Sequence, residues 1–161
     1  MCRIEYKNII FENTNEQLNH CVIRSIENFL DVKFPKDYYD FLKNINGGVP
    51  TNSYFKFINC DCGSILSVFY GMCEDCLNDL LENYRCYCIR IPSNTFAIAS
   101  DLGGNQILLS VKGKDKGKVY FWDHEQEAQE GEVPDYSNLT LIANSFDEFL
   151  GMLRPVEEID D

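Results

Sequence analysis

Cysteine is the residue type with the most chemistry to offer in this chain, which has eight cysteines in 161 residues. Two close pairs stand out, Cys60 with Cys62 and Cys73 with Cys76, because zinc in proteins is usually held by four ligands supplied as two such pairs. A disulfide or a redox role would use the same spacing. In a reducing compartment, free thiols that pack as small apolar side chains are favoured over both alternatives. We therefore expect no metal and no other cofactor.

Residues that could catalyse a reaction are few, and the only histidines are His20 and His124. His20 lies beside the apolar stripe of a predicted helix. His124, between two acidic residues at the end of a predicted strand, is a candidate general base, but a hydrogen-bonded histidine without a catalytic role is the favoured interpretation. No Gly-x-Ser-x-Gly motif occurs, and residues 113–119 lack the spacing and the hydroxyl residue of a phosphate-binding loop. These patterns predict a binding protein and not an enzyme.

The charge of the chain limits its partners. The formal net charge is −12, from 26 acidic and 14 basic residues. Such a surface repels nucleic acids and anionic membranes and attracts cationic proteins, although acidity by itself also serves solubility. No apolar run approaches the roughly 20 residues of a membrane span, and the first residues contain no apolar segment typical of a signal peptide. We expect a cytoplasmic protein that binds neither nucleic acid directly nor a membrane.

Four amphipathic helices are predicted. A capping-box pattern at 14–17 precedes apolar residues at helical spacing, so the first helix should run over about 15–31. The second begins at Phe34-Pro35 and is ended by Asn46-Gly47-Gly48, since glycine accepts the left-handed conformation that ends many helices. The third is predicted over about 74–84, and the last follows a second capping box at 145–148.

Three strand-like runs in the centre of the chain predict an antiparallel meander. They are residues 96–99, 106–111 and 118–122, separated by a turn at 101–105 and a glycine-bounded loop at 112–117. Further strands are predicted at 54–58, 65–70 and 139–143, residues 1–12 are an edge strand or a lead-in, residues 85–92 are a connector or a short strand, and residues 125–138 are an exposed acidic loop. Because such a sheet needs helices against it, the predicted fold class is α+β, in one domain over residues 1–161 with an acidic tail at 155–161.

Several of these segments together resemble the SUKH superfamily, the Smi/Knr-like proteins. The segment 34–48, FPKDYYDFLKNINGG, is similar to the family pattern LP-x-x-Y-x-x-F-L followed by NGG, with Phe34 in place of the usual leucine. The segments 98–105, 119–125 and 142–150 follow in the family's order, so the resemblance spans about 15–153, while the cysteine-rich segment 60–88 matches no family pattern. The motif residues, to which the resemblance gives structural roles, are Pro35, Tyr38, Phe41, Leu42, Asn46, Gly47, Gly48, Asp101, Gly103, Gly104, Asn105, Phe146, Phe149 and Leu150.

The resemblance implies both a fold and a function. The fold is α+β, with helices packed around a mostly antiparallel sheet. Bacterial members of the family are typically immunity proteins, antitoxins that bind and neutralise a cognate toxin domain, often a nuclease. The alternative that the resemblance leaves open is a non-catalytic regulatory or scaffolding module with an endogenous partner, as among the eukaryotic members. Neither group is known as enzymes, so the implied mechanism is stoichiometric binding.

An acidic segment after the aromatic strand is the predicted contact with a toxin. A basic domain such as a nuclease presents lysines and arginines to phosphates, so a set of carboxylates could cover that surface, and neighbouring aromatic side chains could anchor the complex. A solvated loop without a partner would have the same composition. The residues of the predicted contact are Tyr120, Trp122, Asp123, Glu125, Glu127, Glu130 and Glu132.

Overall fold

The structure, a computed structural model, describes residues 2–74 and 76–160, with the backbone alone at 158 and 160. The strands are β1 (Arg3–Tyr6), β2 (Ile9–Glu12), β3 (Val49–Pro50), β4 (Tyr54–Lys56), β5 (Gly63–Phe69), β6 (Thr95–Asp101), β7 (Gln106–Ser110), β8 (Val119–Trp122) and β9 (Leu139–Ala143). The helices are α1 (His20–Leu30), α2 (Lys36–Asn44), α3 (Leu80–Tyr87) and α4 (Phe146–Met152), with short 3₁₀ helices at His124–Gln126 and Val156–Asp160. None of the described helices has the length and apolarity needed to cross a membrane.

The larger sheet has six strands in the order β4-β5-β6-β7-β8-β9, so each strand pairs with its neighbours in the chain. All of these pairs are antiparallel; Ile107 of β7, for example, lies opposite Phe121 of β8. Sequential pairing of this kind is what apolar runs separated by glycine-containing turns predict. The predicted α+β fold, its central meander and the strand at 139–143 are confirmed.

Helices cover both faces of this sheet. Successive side chains of a strand point to opposite faces, so Phe121 and Trp122 lie on different sides of β8. On the Phe121 side, Phe69 of β5 packs edge-to-face against Phe146 of α4, with 6.0 Å between the ring centroids. On the other side, Trp122 packs against Tyr87 of α3 at 5.8 Å. Because both sides are covered, the central strands β6 and β7 are buried along almost their whole length.

The smaller sheet, β1-β2-β3, adds aromatic side chains to one side of the core. Phe11 of β2 packs against Phe41 of α2, with 5.5 Å between the ring centroids, and Phe41 in turn packs against Phe146 at 5.1 Å. Such edge-to-face pairs contribute about 0.5–1.5 kcal/mol each beyond their buried area. The apolar motif residues of α2 and α4 all lie in this core: Tyr38, Phe41, Leu42, Phe146, Phe149 and Leu150.

The end of α2 has a conformation that explains the Asn-Gly part of the motif. Asn46 is fully buried with φ at +57°. Its Oδ1 accepts the N–H of Met72 at 2.7 Å, and its Nδ2 donates to the carbonyl of Glu16 at 2.7 Å. Gly47 follows with φ at +81°, and a Cβ there would lie 2.8 Å from the backbone nitrogen of Gly71. The side-chain hydrogen bonds of Asn46 and the close backbone approach at Gly47 therefore hold the end of α2 against residues 71–72, the segment before α3.

The first helix is shorter than predicted. Its N-cap is Asn19, whose Oδ1 accepts the N–H of Val22 at 3.0 Å, so the capping box predicted at 14–17 is wrong. That segment instead binds the end of α2, where Asn15 Nδ2 donates to the carbonyl of Asn46 at 2.9 Å. A tertiary hydrogen bond has taken the place of the local one that the pattern predicts.

The third helix starts later than its predicted beginning at about 74. Asp79 is the N-cap, since its Oδ1 accepts two N–H groups of the first turn at 2.9 and 3.0 Å. Leu77, which the spacing places on the apolar stripe, lies exposed before the helix. The helix continues to Tyr87, so the segment 85–92, predicted as a connector or a strand, is partly helical, and residue 75 lies outside the described residues.

The chain leaves the core after α4. Arg154 and Tyr54 exchange two backbone hydrogen bonds, at 3.0 and 2.8 Å, which attach the end of the chain to the edge strand β4. Beyond this contact, Val156–Asp160 form a 3₁₀ helix, and residue 161 of the predicted acidic tail lies outside the described residues. The segment after α4 is therefore held against the edge of the larger sheet.

Tyr38 buries a hydroxyl group that has no hydrogen-bond partner among the described residues. Burial raises the pKa of this phenol, so the group stays protonated and keeps an unused donor. Removal of an unsatisfied buried hydroxyl relieves its desolvation cost, so we expect Tyr38→Phe to raise the free energy of unfolding by about 1 kcal/mol. Urea unfolding at pH 7, followed by circular dichroism, measures the change.

Tyr70 provides the matched control, because its hydroxyl is also buried but donates to Gln106 Oε1 at 2.6 Å. Tyr70→Phe leaves that acceptor unpaired and should lower the free energy of unfolding by about 1 kcal/mol. An equal loss of stability in Tyr38→Phe would contradict the prediction and would indicate that the Tyr38 hydroxyl has a partner in solution.

Candidate partner-binding site

The acidic segment, residues 123–138, leaves the sheet after β8 and returns at β9. Its two ends are joined, because the N–H of Asp123 donates to the carbonyl of Asn138 at 3.1 Å and the Asn138 side-chain amide donates to the carbonyl of Asp123 at 2.9 Å. Asp123 Oδ1 also accepts the N–H of Glu125 at 3.0 Å and so caps a 3₁₀ turn. The segment therefore starts from a fixed base.

Arg90, just beyond α3, holds the middle of the acidic segment. Its Nε and one terminal nitrogen donate to the two carboxylate oxygens of Glu127, each at 2.9 Å, which is the paired geometry that favours arginine over lysine. The same guanidinium lies over the rings of Tyr87 and Trp122, at 4.9 and 5.5 Å from their centroids. Glu127 is thus bound to Arg90 within the protein, and it tethers the acidic segment to the end of α3.

The ion pair shifts the pKa values of both Glu127 and Arg90 in the direction that keeps each group charged. The hydrogen bonds from Arg90 lower the pKa of Glu127, and those to Glu127 raise the pKa of Arg90. Because the carboxyl pKa is lowered in the folded protein, the stabilisation is complete above the ordinary carboxyl range and is lost as the pH falls through the lowered value.

The other carboxylates of the segment remain free to meet a partner. Glu125, Glu130, Glu132 and Asp135 are exposed, and Asp123 is half-buried at the base. Hydrogen bonds from Ser137 lower the pKa of Asp135, so this group stays ionised to a lower pH than an ordinary aspartate. The arrangement presents several negative charges on a loop fixed at its base and at Glu127.

Tyr120 and Trp122, predicted as anchors for a partner, do not lie on the surface. Trp122 is 1% exposed beneath Arg90, and Tyr120 is 8% exposed, with the ring of Tyr136 edge-on at 5.5 Å. Their strand, β8, is an interior strand of a sheet covered on both sides, so its aromatic side chains are taken up by the core. Their assignment to the contact is corrected, since they support the acidic segment from below.

The motif turn between β6 and β7 is built on the buried carboxylate of Asp101. Its Oδ1 accepts the N–H groups of Gly103 and Asn105, at 2.9 and 2.8 Å. Its Oδ2 accepts the side-chain amide of Asn105 at 3.0 Å and the hydroxyl of Ser64 at 2.7 Å. These four donors satisfy the buried carboxylate. The hydrogen bond from Ser64 joins the turn to the start of β5. Gly104 completes the turn with φ at +87°.

His124 extends this network to the acidic segment. Asn105 Oδ1 lies 3.1 Å from the backbone nitrogen of His124 and 2.6 Å from its Nδ1. An amide oxygen can only accept, so Nδ1 carries a proton and the ring is held in place by this bond. The other histidine, His20, is exposed and shares a hydrogen bond with Tyr39. Both histidines therefore have hydrogen-bonded, structural surroundings.

The cysteines are arranged differently from the expected set of free thiols. Cys60 is bonded to Cys62, and Cys73 to Cys76, so these four form two local disulfides. Cys2, Cys21 and Cys86 are free but exposed, and Cys88 is half-buried, so they do not act as small core residues. The described residues contain no group of three or more His, Cys, Asp or Glu side chains placed to share a metal ion. Each of these four cysteines is bonded to the nearby cysteine of its own pair, so the two pairs do not share a site.

Comparison with known proteins places these features in a family. The sequence model of the SMI1 / KNR4 family (SUKH-1) matches residues 19–152, from the N-cap of α1 to the last residue of α4. The chain belongs to this family. It is also similar to a protein of Bacillus subtilis (strain 168) described as the SPbeta prophage-derived uncharacterized protein YokK, with 35% identity over 164 residues that cover 90% of this chain and 78% of YokK.

For this SUKH-1 protein, the most informative residue that sequence reasoning missed is Arg90. It lies 37 positions before Glu127 in a segment interpreted as a connector or a short strand, and no periodicity relates the two. In a chain with many carboxylates, the sequence around Arg90 does not indicate which carboxylate this arginine binds. The predicted residues Asp123, Glu125, Glu130 and Glu132 do lie together on one loop, as the sequence order requires.

The Arg90–Glu127 pair gives a prediction for stability against pH. Arg90→Met keeps an apolar stem over the aromatic rings but removes the charge, so we expect the free energy of unfolding at pH 7 to fall by about 0.5–1 kcal/mol, the range of a half-exposed pair. Below the lowered pKa of Glu127 the wild-type pair is also broken, so the difference between the two proteins should shrink to the part that the contacts of Arg90 with the rings of Tyr87 and Trp122 contribute. Urea unfolding at pH 7 and at a series of lower pH values measures it.

The control is Arg85→Met, because Arg85 pairs with Glu82 on an exposed face of α3. This variant should change stability by less than about 0.5 kcal/mol at every pH of the series. A difference for Arg90→Met that stays the same over the whole pH series would show that the lost ion pair is not its cause.

Proposed function

We propose that this protein is an immunity protein that binds and neutralises a cognate toxin domain with a cationic surface. The observation that carries the proposal is the acidic segment, which exposes several carboxylates on a loop fixed at its base and at Glu127, in a chain of net charge −12. A fixed set of like charges attracts a cationic protein and speeds its approach. Little of the loop has to be ordered on binding, which reduces the cost of association.

Neutralisation would follow from occupation of the toxin surface and not from chemistry. A nuclease binds phosphates through lysines and arginines, and the carboxylates of the acidic segment would pair with those same side chains. Nucleic acid could then no longer enter the toxin. The protein would need no cofactor, no nucleic acid contact and no membrane contact for this role.

The family and the relative support a protein partner of this kind. Immunity proteins are the role that the resemblance implies for bacterial members of the family. The prophage origin of YokK is consistent with a gene that travels with a toxin gene. The proposal therefore joins a family-level expectation to a specific charged surface of this chain.

Growth rescue is the direct test. We expect the gene for this protein to lie beside one that encodes a toxin domain, and cells producing that domain to survive only when this protein is co-expressed. An unrelated toxin of similar potency should kill with or without it, because the contact is specific. Colony counts with both toxins measure the effect. Absence of rescue despite good expression would overturn the proposal and favour a regulatory module with an endogenous partner.

Charge reversal tests the acidic segment itself. The triple variant Glu125→Lys, Glu130→Lys and Glu132→Lys should slow association with the toxin at low salt by about tenfold or more, because steering by these carboxylates is lost. It should also flatten the dependence of the association rate on ionic strength. Stopped-flow mixing or surface plasmon resonance at several salt concentrations gives both quantities.

A second triple variant, at Glu5, Glu16 and Glu74, is the matched control, since these carboxylates are exposed on other parts of the chain and the net charge changes by the same amount. Its association rate should change much less. Equal slowing in the two variants would show that only the overall charge matters and that the acidic segment has no special role.

A further inference from the structure

Three connections of the larger sheet emerge at the same end of its strands. Residues 57–62 join β4 to β5, residues 102–105 join β6 to β7, and residues 123–138 join β8 to β9. In an antiparallel meander every second connection lies at the same end, and neighbouring connections of this set are about 10 Å apart. We call these three segments together the acidic end.

The three connections are fastened to one another. The N–H of Leu102 donates to the carbonyl of Ile65 at 3.0 Å, which joins the second connection to β5 directly after the first. Asn105 and His124 join the second to the third at 2.6 Å. Phe57 of the first connection packs against Phe121 of β8 with 4.9 Å between ring centroids, so the sheet curves and brings the first towards the third. The acidic end is therefore one continuous surface.

Charge separates this end from the opposite one. None of the three connections contains a lysine or an arginine, while residues 123–138 and Asp61 supply carboxylates. One of the two connections at the other end, residues 111–118, carries Lys112, Lys114, Lys116 and Lys118 against the single acid Asp115. Lys112 lies 3.8 Å from Asp31, at the end of α1, so that end of the sheet is also where α1 finishes. A cationic partner is attracted to the acidic end and repelled from this lysine-bearing connection.

Each connection of the acidic end also exposes a large apolar side chain. Ile58 is 54% exposed, Leu102 is 70% exposed and Val133 is 86% exposed. Leu102, on the middle connection, borders an open cavity of about 420 Å³ that also has Tyr54, Asp61, Ile65 and Ile159 in its wall. An apolar centre with a charged rim is the usual composition of a protein contact surface. The apolar centre here consists of exposed side chains and not of the buried pair Tyr120 and Trp122.

We propose that the acidic end, with Leu102 at its centre, is the surface on which the partner docks, and that this partner is a protein with an apolar patch ringed by lysines or arginines. One of those cationic side chains enters the cavity beside Asp61. This inference rests on the proposed function, because it takes the cationic toxin domain as the partner.

Substitution of the apolar centre tests the inference. Leu102→Asp keeps the acidic character of the surface but removes its apolar anchor, so affinity for the toxin domain that kills in the growth assay should fall about 30-fold. Ile58→Asp, on the neighbouring connection, should weaken binding in the same direction. Isothermal titration with an inactive variant of that toxin domain measures both. Urea unfolding checks that each variant is folded, as expected for exposed side chains.

Phe29→Asp is the control, since Phe29 is 64% exposed on α1, the helix whose end lies beside the lysine-bearing connection. Its affinity should stay within about twofold of the wild type. If the wild type binds the toxin domain and Leu102→Asp and Ile58→Asp bind it with the same affinity, the docking surface is wrong and the proposed function still holds. A wild-type protein that neither rescues growth nor binds the toxin domain would overturn both.

Discussion

The buried ring of Phe41 is the contact on which the arrangement of both sheets depends. It packs against Phe11 of the small sheet, Phe69 of the large sheet and Phe146 of α4, with ring centroids 5.1–5.5 Å apart. Since these rings belong to different elements, the position of α2 is fixed relative to all of them. The end of α2 then fixes Asn46, whose side chain holds the segment before α3 by a hydrogen bond to Met72.

The buried carboxylate of Asp101 joins parts of the acidic end, as the ring of Phe41 joins elements of the core. A buried charge is tolerated only when donors surround it, and here the donors come from the turn itself and from the start of β5. Asn105 carries the same network on to His124. In this chain the turn at 101–105 therefore joins β5 and the acidic segment by hydrogen bonds.

Much of the fold could be predicted because its signals are local. The strand at 139–143 and the cap at Ser145 were predicted from residues within a few positions of each other, and the structure has both. Local signals failed where distant groups competed for the same atoms. Asn15 matches the start of a helix but hydrogen-bonds to the end of α2, and Leu77 matches an apolar stripe but lies before a helix that Asp79 caps.

By itself, the sequence indicated an acidic α+β protein whose segments resemble the SUKH superfamily in order, and it located the carboxylates of one loop. Those properties depend on composition, periodicity and neighbouring residues. Only the tertiary structure decided which side chains face solvent: Trp122 is covered and Leu102 is not, because β8 lies between packed helices while the β6–β7 turn projects beyond them. It also decided that Glu127 binds Arg90 across 37 positions, since a pair so distant along the chain is set by how strands and helices pack.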